Sequence, residues 1–190
     1  MNQSPDITRL LQEQADGREG AFDELVEAVF DELCRIARRQ MRSQAPGHTL
    51  NTGSLVNEAY LHLSSLARAG WQNRGHFFGV AGLAMKQILL QHARAKMAKK
   101  RGEGSRPVPL EDVELMSDAQ AEHLLAIDDA LARLDAQGPR LRTVVEHKIF
   151  AGLTVEEIAE ATGVSKATVK RDWVFARAWL NRELGSGRVE

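Results

Sequence analysis

Four polar side chains carry the clearest chemistry in this chain of 190 residues: Lys166, Thr168, Lys170 and Arg171. Lys and Arg hold phosphates or bind guanine edges, and Thr contacts a base edge or a thymine methyl. They stand near the start of a predicted helix whose apolar residues, Val169, Trp173, Ala176 and Leu180, recur at spacings of four, three and four. That spacing turns one face inward and leaves the basic residues outward, as in a recognition helix entering the major groove. Ser165 is the residue type that caps such a helix, and its hydroxyl lies beside the same surface. Which outward residue reads bases and which holds phosphate stays open.

The segment before that helix positions it. Thr154 and Glu157 form a predicted capping box, with Leu153 and Ile158 at the hydrophobic-staple positions. Ala159 is small enough for two helices to cross closely. Gly163 supplies the freedom for a tight turn, and Val164 plugs the space beneath it. Cap, turn glycine, buried valines and outward cations agree on a helix-turn-helix rather than an ordinary helical hairpin.

A second basic surface lies upstream. Between Glu58 and Glu103 the chain holds no acid, yet carries Lys86, Arg94, Lys96, Lys99 and Lys100 among other cations. A positive field of this kind suits a polyanion, because phosphate neutralisation releases counterions; a solvated basic helix end is the other reading. Other chemistry is thin. Cys34 beside an apolar stripe reads as a small core residue. Glu58 and His62, four apart, are too few ligands for a metal site. No nucleophilic triad, P-loop or dinucleotide fingerprint is present, so an enzyme is not expected, nor is a cofactor.

The elements that carry these residues are helical. Period-3.6 patterning predicts helices over about 6–15, 20–42, 52–66 and 76–100, then 118–135 and 139–150, ahead of the helix-turn-helix. Ser117 and Gln120 fit a capping box for the fifth helix, and Pro139 suits the first turn of the sixth. Residues 103–117, with Gly104, Ser105, Pro107 and Pro109, read as a flexible acidic linker. An all-α chain of two helical domains follows.

Composition fits this reading once it is divided. The formal net charge is -1, but residues 1–102 carry +4, residues 103–137 carry -7 and residues 138–190 carry +2. An apolar fraction of 43% argues against wholesale disorder, and one cysteine excludes an intramolecular disulfide framework. No apolar run approaches a membrane span and no signal peptide is visible, so a cytoplasmic protein without a membrane partner is expected.

Taken together, the late basic helix, the acidic linker and the motif Leu153-Thr154…Glu157-Ile158-Ala159…Gly163-Val164-Ser165…Thr168-Val169-Lys170 resemble the sigma-70 family, and within it small extracytoplasmic-function (ECF) sigma factors. The resemblance spans about 6–184. It implies a sigma2-like helical bundle over 6–102, a flexible linker over 103–117 and a sigma4-like helix-turn-helix domain over 118–184. It implies -35 element binding by Ser165, Lys166, Thr168, Lys170 and Arg171. Leu55, Val56, Glu58 and Tyr60 match the family's Leu-Val-x-Glu-x-aromatic pattern, which implies docking on the beta-prime clamp helices of core RNA polymerase; the beta flap is the second implied contact. Thr52, Gly53 and Ser54 replace the acids that often precede that pattern. The loop with Trp71, Asn73 and Arg74 corresponds to the family's -10 region, where an aromatic or guanidinium plane stacks on a flipped base and an amide reads its edge. Trp71 folded back onto its own domain is the alternative. Lys86, Arg94, Lys96, Lys99 and Lys100 would then track the DNA backbone.

The implied partners are core RNA polymerase and promoter DNA, with an anti-sigma factor as a further candidate. A stand-alone helix-turn-helix regulator and a helical adaptor acting by protein contact alone are the rival readings. The linker acids Glu111, Asp112 and Glu114 are expected to influence promoter escape. The free chain is expected to bind DNA weakly, because its own acids compete with phosphates.

Overall fold

The computed structural model describes residues 7–41, 52–66, 71–100 and 116–185. The predicted linker, apart from Met116 and Ser117, falls outside the described residues, as do Glu111, Asp112 and Glu114.

Every described element is helical: α1 (Ile7–Ala15), α2 (Ala21–Met41), α3 (Thr52–Leu66), α4 (Arg74–Lys100), α5 (Asp118–Asp135), α6 (Pro139–Glu146), α7 (Val155–Thr162) and α8 (Lys166–Glu183). The all-α reading holds. The stripe read from α2 is the one that it buries, with Leu25, Val29, Leu33 and Ala37 nearly inaccessible. It packs on α1 through Leu10 and Leu11, and on α3 through Val56, Ala59 and Leu63. Each such Leu stabilises the fold by about 1.5–3 kcal/mol relative to an exposed one.

Beyond α4 the chain builds a second, smaller core. Ala130, Leu131 and Leu134 of α5 meet Val145, Phe150, Ala176 and Leu180. The capping box at Ser117 is formed: Gln120 N donates to the serine hydroxyl at 3.3 Å, and Ser117 N donates to Gln120 Oε1 at 2.6 Å. The predicted sixth helix ends differently from expectation. After Glu146 it widens into a π-turn, His147–Ala151, which closes at Gly152 in the left-handed region with φ 74°. Such local π geometry shifts side chains around the helix relative to a regular α-turn.

The axis of the molecule is α4. On one side it packs against α2 and α3; on the other it meets α5, α7 and the π-turn. The larger apolar cluster therefore runs through it, from Leu33 and Phe77 to Met116, Ala121, Ile158 and Val169. Gln40 fastens the crossing, its Nε2 donating to the carbonyls of Gly82 at 2.8 Å and Phe150 at 3.0 Å. Among the described residues no helix is long and apolar enough to cross a membrane.

Candidate nucleic-acid interface

The helix-turn-helix is assembled as its residue types dictate. Glu157 N donates to Thr154 Oγ1 at 3.1 Å, and Thr154 N donates to Glu157 Oε2 at 2.9 Å, so two otherwise orphaned amides at the start of α7 are satisfied. Gly163 ends α7 at φ 70°, a conformation costly for any residue with a Cβ. Ser165 Oγ then accepts from Thr168 N at 3.1 Å and opens α8. Ile158 and Val169 are fully buried between the two helices.

That packing leaves Lys166, Lys170 and Arg171 exposed and Thr168 half-buried beside them. Lys166 lies 3.4 Å from Glu156, both side chains well solvated, which is a weak and salt-sensitive pair. The register of α8 is anchored by a residue the sequence analysis missed. Asp172 is buried and accepts from Arg140 of α6, which raises the Arg140 pKa above its ordinary value through that hydrogen bond. An acid inside a basic surface motif was the available signal. Val174 and Phe175 are exposed on α8 at 67% and 50%, a second unanticipated feature.

The upstream basic surface is built differently from expectation. Lys86 is not a solvated backbone-tracking cation here: it is 4% exposed, with Asp128 of α5 at 2.8 Å and Glu146 of α6 at 3.0 Å. Arg94 pairs with Asp128 at 2.9 Å. Lys96 reaches Asp118 at 3.5 Å; Lys100 reaches Asp118 at 3.5 Å and Glu122 at 3.2 Å, and the Glu122 hydrogen bond raises the Lys100 pKa. Lys99 is exposed. Acids that lie far along the chain thus occupy much of the cationic face of α4.

The loop before α4 is likewise engaged. Trp71 is 7% exposed and packs edge-on against Phe77 at 5.2 Å, with its Nε1 buried and unpartnered. The folded-back alternative describes its position, and its ring has no open face for stacking. Asn73 caps α4 by accepting from His76 N at 2.8 Å and donates to the Glu160 carbonyl at 3.1 Å. Arg74 lies over the Phe78 ring and pairs with Glu32 of α2 and, at 2.9 Å, with Glu157 of α7.

On α3 the four matched residues divide. Leu55 and Val56 are buried in the core, where their packing against α2 accounts for them. Glu58 is exposed, 3.6 Å from His92, and Tyr60 donates to Asp23 at 2.6 Å, a bond that raises its pKa. Surface hydrophobicity comes instead from Leu61, 68% exposed, and from Phe30 on α2, 42% exposed. Tyr60, Phe30, Asp23 and Asp31 border an open hollow of about 540 Å³. Among the described residues no group of three His, Cys, Asp or Glu could hold a metal ion.

A family model described as "ECF sigma factor" matches residues 4–186. No curated protein matches the chain. Among solved structures, "Structure of CnrH in complex with the cytosolic domain of CnrY" is similar at 19% identity and a TM-score of 0.45, covering 96% of this chain and 100% of that one.

Proposed function

The chain belongs to the ECF sigma factor family, and on that basis we propose that it binds core RNA polymerase and directs initiation at specific promoters. Within this reading, residues 6–102 are the sigma2-like unit, which contacts polymerase and the -10 element. Residues 118–184 are the sigma4-like unit, which binds the -35 element as duplex.

The observation that carries the proposal is the start of α8. Lys166, Thr168, Lys170 and Arg171 stand at the outer surface of a helix whose inner face is locked by Val169, Ala176 and Leu180. A rigid helix with a cationic N-terminal turn is the form that major-groove readout requires. Two flanks of α3 offer mixed apolar and acidic surface suited to a protein partner, Tyr60 with Phe30, Asp23 and Asp31 beside α2, and Glu58 with the exposed Leu61 beside α4. Polymerase would hold both DNA-binding units at one promoter and so raise the effective concentration of each.

The test is in-vitro transcription with purified core polymerase, with and without the chain. Promoter-specific transcripts that require the chain support the proposal. Tight binding to palindromic duplex without any such transcript overturns it in favour of a stand-alone regulator. Lys170→Ala with Arg171→Ala should weaken DNA binding and reduce the salt slope by roughly one per lost phosphate contact. Unchanged transcription in that double variant favours a protein-contact adaptor.

A further inference from the structure

A cavity of about 480 Å³ lies where α2, α4, α5, the π-turn and α8 meet, apart from every surface described above. Its apolar wall includes Leu89, Met116, Leu124, Ile127, Phe150 and Trp173. Small-molecule sites have this character: roughly 300–1,000 Å³, mostly apolar, with a few placed polar groups. The charged side chains in the lining are Arg39 and Lys148; His123 joins them, and no Asp or Glu does. Neither cation is neutralised. Arg39 has no carboxylate partner among the described residues, and its guanidinium is seated over Gly152, where a Cβ would collide with it. The left-handed glycine that closes the π-turn thus makes the seat for that guanidinium. Lys148 donates to the neutral Leu153 carbonyl at 3.2 Å. The cations of α4 differ in this respect, since Lys86, Arg94 and Lys100 each face an acid. Gln40, also in the lining, is fixed by its two donated bonds, and its Oε1 is buried with no partner.

We propose that this cavity binds a small amphipathic carboxylate, an apolar body ending in one anion. The body displaces water from Leu124, Ile127, Phe150 and Trp173, and the carboxylate pairs with Arg39 and Lys148. A guanidinium suits that end of the ligand, because its fork matches the two carboxylate oxygens. Medium-chain fatty acids and aryl-alkanoic acids share this chemistry. A neutral apolar molecule would leave the two cations without a partner, and a phosphorylated or multiply charged one would set excess charge against an apolar wall. Five elements contribute to the lining, so a bound carboxylate stabilises the folded chain by mass action. The site is independent of the polymerase and DNA roles proposed above.

The test is calorimetric titration of the full chain with sodium octanoate, with octan-1-ol and acetate as the separated halves of its chemistry. Octanoate should bind one per chain with a Kd on the order of 0.5 mM, while octan-1-ol and acetate should not saturate over the same range. At ten times its Kd, octanoate should raise the thermal midpoint by about 3–6 °C. Titration with 4-phenylbutyrate distinguishes an aromatic body from an aliphatic one, and one-to-one binding of either supports the site. Arg39→Gln removes an exposed side chain and should weaken binding about tenfold with helix content unchanged. Ile127→Trp fills the cavity and should abolish binding. Absence of saturable binding by both carboxylates overturns the proposal, as does many-site binding. Equal binding of octan-1-ol overturns the carboxylate assignment, and an affinity unchanged by Arg39→Gln overturns the place given to the anion.

Discussion

Replacing Lys86 by Met should cost about 3 kcal/mol of stability, and the reason lies in what surrounds the ammonium. The Lys86 side chain is 5% exposed, Asp128 19% and Glu146 11%, so solvent screens little of the interaction. At about 3 Å and an effective dielectric constant of about 20, each contact has a gross Coulomb attraction of roughly 5 kcal/mol. Desolvation of the three groups offsets most of this. What a single substitution reads is the orphaning of the partners, about 3–5 kcal/mol for a buried pair. The lower end applies because both acids keep a cation: Arg94 stays on Asp128 at 2.9 Å and Arg142 on Glu146 at 3.1 Å. Thermal unfolding of the full chain should then shift down by about 6–12 °C for a protein of this length. Methionine fills a similar volume, so the loss reports charge rather than a cavity. Adding Asp128→Asn and Glu146→Gln to Lys86→Met removes the repelling carboxylates and should restore at least half of the loss. Urea unfolding of the parent, Lys86→Met, the Asp128→Asn/Glu146→Gln double variant and the triple variant gives the coupling directly. A Lys86→Met loss below about 1 kcal/mol, or a triple variant less stable than the single one, refutes the argument that a buried ionic triad joins the two halves.

Two further outcomes are expected. Gly163→Ala should destabilise by about 1–2 kcal/mol in chemical denaturation, because its Cβ meets nothing within 4 Å and the whole cost is the φ of 70°; Gly163→Asn should cost less, and equal losses would count against a backbone origin. His147 supplies a pH dependence. Burial lowers its pKa from 6.5, opposed by its Nδ1 hydrogen bond to the Thr143 carbonyl and by Glu146, and assisted by His76. The neutral ring is favoured in the folded chain, so below about pH 6.5 the unfolded chain binds more protons and stability falls as pH drops toward the lowered value. His147→Gln should flatten the part of the stability profile that falls below about pH 6.5, and superimposable profiles would remove His147 as the cause.

The features legible in the sequence are those whose partners are close along the chain. Thr154 and Glu157 lie three apart, as do Ser117 and Gln120, and both capping boxes form as the spacing requires. Gly163 and Ser165 mark their turn and cap for the same reason, and α3 spans the predicted residues 52–66. The helix-turn-helix was readable because its geometry is fixed by local hydrogen bonds and a period-3.6 stripe. Leu55 and Val56 show the limit of a pattern match. Adjacent apolar residues suit a core and an interface equally, and only the position of α2 assigns them to the core. Trp71 was ambiguous in the same way until Phe77 and His76 were found against its ring. The π-turn left no sequence signal that periodicity could register, since one widened turn changes no residue type.

The charge segregation was visible in the sequence, but its physical meaning was only half read. The block of -7 over residues 103–137 takes in both the predicted acidic linker and the predicted helix over 118–135. Three of the acids on α5, Asp118, Glu122 and Asp128, face Lys86, Arg94, Lys96 and Lys100, which no local pattern indicated. Separations of 18 to 42 residues hide such pairs from any local rule, because the register between α4 and α5 is set by packing. The glycines of α4 were equally visible as letters. In a search for apolar stripes they count as gaps, and a face made of gaps reads as no face at all. Gly75, Gly79 and Gly82 acquire meaning only when His147 and Ala151 arrive opposite them. The net charge of -1 is therefore the sum of surfaces that are partly neutralised against one another in the folded chain. The exposed cations at the start of α8 remain largely outside that pairing, with only the weak contacts of Lys166 with Glu156 at 3.4 Å and Arg171 with Asp172 at 3.8 Å among the described residues. Under the proposed assignment, duplex contact through α8 would require less rearrangement than DNA contact through α4. An initial encounter through α8 would then precede exposure of the α4 cations, and the strength of the Lys86 triad would set how much binding free energy that exposure needs.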